Sequence, residues 1–98
     1  MTSKRKEQQL KQIARLYLLS LSNQSQIKIH RITPNLISFQ NAVEVAYASL
    51  SAPLKLIINN DFFFQDYPGW WKPSYKRIHY RRLKNHAIND FLEAYHEI

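Results

Sequence analysis

The chain of 98 residues contains no cysteine, which excludes disulfides, thiolate catalysis and the usual zinc modules. Glycine occurs once, at Gly69, and proline four times, so there is little material for the tight hairpins of a β protein. No apolar run approaches the roughly 20 residues needed to cross a bilayer. The opening MTSKRKEQQLKQ lacks the uninterrupted apolar core of a secretion signal. A soluble protein of the reducing cytoplasm, without membrane attachment, is the expectation. Acid is scarce as well. Seven Asp and Glu stand against fourteen Lys and Arg, a net charge of +7, and this favours nucleic acid or an anionic surface as partner.

What is abundant suits helices: Leu, Ile, Ala, Lys, Arg and Gln. The expected fold is a single all-α domain over residues 1–98 with four to five helices, 4–49 forming packing helices and 50–97 the functional portion. In residues 4–21, Leu10, Ile13, Ala14, Tyr17, Leu18 and Leu21 recur at helical spacing. Between Ser22 and Arg31 the pattern fades, with Ile27 and Ile29 alternating with polar neighbours, and reads as a connection. Thr33 and Pro34 look like a cap and first-turn residue, opening a helix to about Ser49 with Leu36, Phe39, Val43, Ala46, Tyr47 and Leu50 inward. Ser51 and Pro53 repeat that arrangement after a gap of two residues, ahead of Leu54, Ile57, Ile58, Phe62 and Phe63. The run DYPGWWKP, residues 66–73, then breaks the pattern.

The last helix, from Tyr75 to Tyr95, carries most of the excess charge. Tyr80, Leu83, Ala87, Phe91 and Tyr95 fall at steps of three and four and form one apolar stripe. Arg77, Ile78, Arg81 and Arg82 lie opposite, with Lys76 and Lys84 at the flanks. From Lys72 to Lys84 there are six Lys or Arg and no acid, against a net seven for the whole chain. A solvated helix face is the ordinary meaning of a basic run, but such faces mix signs because like charges at i,i+4 repel. An external polyanion relieves that repulsion, and phosphate is the natural candidate. Trp70 and Trp71 either stack on bases or plug the core beside the turn; being adjacent they point apart, so one can plug while the other stays exposed.

Tyr75-Lys76-Arg77 through Tyr80, Arg82-Leu83-Lys84, Ala87-Ile88 and Phe91-Leu92, with the preceding LIINNDFF and the Trp70-Trp71 pair, resemble a small family of uncharacterised proteins from mycoplasmas and relatives. The same tail is similar to the ArpU-like phage regulators of late transcription and, more distantly, to the fourth conserved region of bacterial sigma factors. The likeness covers about Leu50 to Tyr95. It implies a C-terminal helix-turn-helix in a sequence-specific DNA-binding regulator of transcription. Arg77, Ile78, Arg81 and Arg82 would face the major groove, and Tyr80 and Leu83 would hold the helix to the domain. Lys72, Lys76 and Lys84 are assigned to phosphates. This chain departs from the family at Lys76, Ile78, His79 and Arg81, where the relatives carry serine, threonine and a second tyrosine; Ser74 is then expected to take over the cap. Useful affinity would call for a homodimer or a second DNA-bound partner such as RNA polymerase.

No enzymatic constellation accompanies these features. Of the four histidines, His86 shares a helix face with Asp90, which is too few ligands for a metal and is the spacing of an ordinary surface pair. Asp61 and Asp66 have no spacing that forces their carboxylates together. No glycine-rich phosphate loop exists, and neither cofactor nor metal is implied. The alternative to DNA is a helical interaction module that docks the basic helix on an acidic protein surface such as RNA polymerase. RNA ranks lower, since a rigid helix does not fit its deep, narrow major groove.

Overall fold

A computed structural model describes residues 4–24 and 34–97. They form four helices: α1 (Lys4–Gln24), α2 (Pro34–Ala48), α3 (Ala52–Ile58) and α4 (Arg77–His96), with a π turn (Asn59–Phe63) extending α3. No strand occurs among them. The fold is all-α, as the composition predicts, and none of these helices is long and apolar enough to cross a membrane. The segment around Ile27 and Ile29, and the cap expected at Thr33, lie outside the described residues.

The helices form where apolar spacing favours them and stop where backbone chemistry intervenes. Helix α2 ends in a turn closed by Ser49 N–H to Val45 O (3.0 Å) and Leu50 N–H to Tyr47 O (3.1 Å). The connection is residues 49–51, one longer than the spacing predicts. Ser51 stands at the N-cap of α3 in extended backbone with proline in the first turn. Its side chain makes no cap bond there; its carbonyl accepts the first helical bond, from Lys55 N–H at 2.9 Å.

At Asn59 the helix widens, and Phe64 N–H reaches five residues back to Asn59 O at 2.7 Å. The extra residue per turn re-aims the phenylalanines. Phe62 enters the core, Phe63 packs half-buried at its edge, and Phe64 is left exposed. Residues 64–76 then wind through hydrogen-bonded turns, Trp70 N–H to Tyr67 O (3.1 Å) and Lys72 N–H to Gly69 O (3.0 Å) among them.

Gly69 adopts φ +77°, left-handed backbone that an L side chain enters only at a cost of about 1–2 kcal/mol. A Cβ there would also lie 3.2 Å from the Lys72 side chain. Gly69→Ala is therefore expected to lower the unfolding free energy by about 1–2 kcal/mol, measured by urea titration. A variant as stable as the parent would mean that the turn relaxes freely.

One core unites the elements. Leu10, Ile13 and Ala14 of α1 meet Val43 and Ala46 of α2, Leu50, Leu54, Ile57 and Ile58, Phe62 of the π turn, and the inner side of α4. Helix α4 packs against each of the other three helices. Its buried residues are Tyr80, Ala87, Ile88, Phe91 and Leu92, with Leu83 and Tyr95 at the margin. The stripe is thus wider than the five residues read from the sequence, because a helix enclosed on several sides needs more than one row of contacts. Leu21, expected inward on α1, is 42% exposed.

Candidate nucleic-acid interface

Helix α4 begins after Lys76, whose backbone is extended and whose side chain makes no cap bond. Ser74, expected to supply the cap, lies one turn earlier, where its N–H closes on Trp71 O at 3.0 Å. The first turn carries no acid. Lys76, Arg77, Ile78, Arg81 and Arg82 are all exposed, as is Lys72 in the preceding turn. Helical geometry sets Arg77 over Arg81 and Ile78 over Arg82. Among the described residues, none of these arginines makes an ion pair or a side-chain hydrogen bond. Ile78 stands 68% exposed among them.

Lys84 departs from this pattern. Expected at a phosphate, it turns inward: its Nζ lies 3.3 Å from Glu7 Oε1 and 3.6 Å from Asp61 Oδ2. It also sits over the rings of Phe62 (5.6 Å) and Tyr80 (5.9 Å). The domain's own carboxylates neutralise this lysine, and it joins α4 to α1 and to the π turn. The outward group is Lys72, Lys76, Arg77, Ile78, Arg81 and Arg82.

Asp61, which spacing marks only as a weak partner for Asp66, has a different role in the structure. Its Oδ1 accepts the Trp70 indole N–H at 2.9 Å, and its Oδ2 accepts the Tyr80 hydroxyl as well as facing Lys84. Gln65 adds a bond to the Asp61 backbone carbonyl. A single carboxylate, largely shielded from solvent, therefore fixes the π turn, the tryptophan turn and α4 relative to one another. The available signal was an acid set inside the apolar run LIINNDFFF, where an ionised group persists only with partners.

Tyr80 is held on both sides. The Trp71 ring stacks on it at 4.3 Å and 8° between planes, and the Trp70 ring meets it edge-on at 6.2 Å. Both tryptophans are half-buried, so the division into one plug and one exposed ring does not occur. Burial, and then the bond to Asp61, raise the Tyr80 phenol well above its ordinary value near 10. Tyr17 of α1 is pushed up to about 12 by burial and by its 2.7 Å bond to Glu44.

Both phenols hold their protons more tightly in the folded state than in the unfolded chain. Their contribution is complete below pH 10 and is lost as pH rises from there through about 12 and beyond. Tyrosinate absorbance should show two phenols titrating late, together with loss of helical circular dichroism above pH 10. Full ionisation of all six tyrosines with the helices intact would refute the coupling.

Other candidates remain separate. His86 Nδ1 lies 3.5 Å from Asp90 Oδ1, a surface i,i+4 pair, and no group of three potential metal ligands occurs among the described residues. Asp61 is enclosed whereas Asp66 is exposed. The connection from Phe63 to Arg77, residues 64–76, is several times longer than the three or four residues of a helix-turn-helix turn. What presents α4 is thus a braced tryptophan turn. No known protein family, curated protein or solved structure matches the chain.

Proposed function

We propose that this chain is a regulator of transcription that binds duplex DNA in the cytoplasm through the front of α4. Arg77, Ile78, Arg81 and Arg82 enter the major groove, and Lys72 and Lys76 meet phosphates. The observation that carries this reading is an acid-free cationic face, without internal ion pairs among the described residues, on a helix braced from behind through Tyr80. A rigid helix of this width fits the major groove of B-DNA. An arginine fork can bond guanine O6 and N7 together, and an apolar side chain such as Ile78 suits the thymine methyl.

Fluorescence anisotropy against a random duplex pool, followed by selection of the bound fraction, tests the proposal. Arg81→Ala is expected to weaken binding to the selected sequence by about 1–3 kcal/mol and to flatten preference at one base pair. Equal affinity for all duplexes would remove base reading and leave backbone binding. A second reading draws on the exposure of Ile78: an apolar residue ringed by cations also fits an acidic protein surface such as that of RNA polymerase. Failure to retard any duplex at moderate salt selects that alternative.

A further inference from the structure

Helix α1 has a second surface, distinct from the face of α4. On its outer side Leu16 and Leu19 are 56% and 48% exposed. Between α1 and the π turn lies an open hollow of about 590 Å3, with Leu18, Leu19 and Phe63 on its floor and Lys11, Arg15 and Gln65 at its rim. Among the described residues no carboxylate lines it. Lys11 and Arg15 stand one turn apart, and neither has an ion pair or side-chain hydrogen bond among the described residues. Nearby cations do have partners: Lys84 takes Glu7, and Lys6 bonds Asn89.

Phe63 is also a wall of a second, more apolar hollow of about 470 Å3, edged by Leu21 and Phe64, both exposed. Its one carboxylate, Glu44, is already engaged by the Tyr17 hydroxyl. From Lys11 to Leu21 the helix rises about 15 Å, at 1.5 Å per residue. That is the length of roughly three turns of a second helix lying alongside.

We propose that this trough docks an acidic amphipathic helix of a partner protein. Its apolar side chains fill the hollows on either side of Phe63, and its carboxylates meet Lys11 and Arg15. Scattered exposed leucines are normal on any protein, and Leu16 is one; Leu19 and Leu21, by contrast, border two adjoining depressions with a cationic rim, the arrangement of helix-in-groove recognition with anchors at i, i+3, i+4 and i+7. A small amphiphile fits less well, because ligand sites enclose most of their ligand's surface and this trough, among the described residues, is open along its length. Nucleic acid is disfavoured by the apolar floor, since phosphates are not desolvated against hydrocarbon without compensating partners. The inference does not depend on the role of α4.

The probe is a synthetic peptide of roughly twelve residues with leucine at i, i+3, i+4 and i+7 and glutamate between, compared with a twin carrying lysine in place of glutamate. Amide NMR shifts of the full chain on titration should saturate and centre on Lys11–Leu21 and Phe62–Phe64, with no such response to the lysine twin. Leu19→Glu, and separately Lys11→Gln with Arg15→Gln, should each weaken the peptide by about tenfold or more. All three residues are exposed, so circular dichroism is expected to stay unchanged.

Shifts centred on Arg77–Arg82 would overturn the proposal, and so would affinity unaffected by Leu19→Glu or the absence of any shift. The same shifts on simply concentrating the chain would make a second copy the occupant. Equal occupancy by dodecanoate would make it a lipid-like anion. Either result also overturns the proposal.

Discussion

Asp61→Ala should lower the unfolding free energy by about 3 kcal/mol, a large share of what a small domain possesses. The loss has three sources. The Trp70 indole N–H and the Tyr80 hydroxyl lose their acceptor, and Lys84 keeps only Glu7. Leaving a shielded donor unsatisfied costs about 1–3 kcal/mol, partly relieved here because the cluster lies near enough to the surface for water to enter. Asp61→Asn should cost less, since an amide oxygen still accepts from Trp70, but its amide nitrogen cannot satisfy both Tyr80 and Lys84. Urea unfolding followed by circular dichroism measures both. An alanine variant within about 0.5 kcal/mol of the parent would mean that the aromatic stacking alone holds the turn.

Replacing Arg77, Arg81 and Arg82 together by glutamine should leave stability within about 0.5 kcal/mol, as for surface positions without internal partners. Duplex affinity should nevertheless fall by a hundredfold or more, given about 1 kcal/mol or more for each arginine. The salt dependence sharpens the test. Five cations face outward on the front of α4 and the turn before it, Lys72, Lys76, Arg77, Arg81 and Arg82. A cation held in the groove displaces counterions even while it reads a base, so with all five at the duplex log affinity is expected to fall against log salt with a slope of about −4 to −5. Removing three should bring the slope to about −2. An unchanged slope would place the electrostatic footprint elsewhere on the molecule, with the basic side of α1 the next surface to vary.

Much of this architecture was readable from residue spacing. All four helices follow from apolar repeats, and the outward placement of Arg77, Ile78, Arg81 and Arg82 follows from their position opposite Tyr80, Ala87 and Phe91. Local periodicity reports which side of a helix meets the core, so it succeeds where that is the whole question. Lys84 lies beyond what spacing encodes. On a helical wheel it flanks the basic group, yet its partners are Glu7 and Asp61, distant in sequence, and no local pattern encodes that meeting.

The same holds for the π turn, which composition does not announce, and for Asp61, whose role exists only once the tryptophan turn folds back over Tyr80. The buried surface of α4 is wider than its spacing predicts for a related reason. Ile88 and Leu92 are enclosed because α4 contacts three other helices, and one helix's sequence does not state how many neighbours surround it.

The packing of Trp71 and Trp70 around Tyr80, one stacked and one edge-on, gives the molecule a built-in optical gauge. Tyr80 shares α4 with the arginines proposed to meet DNA, and both of the chain's indoles lie against it. Light absorbed by that phenol passes readily to rings at such short range, and their emission colour depends on how much water reaches them. Any event that rocks the helix in its seat will therefore register as a change in native fluorescence, with no dye attached.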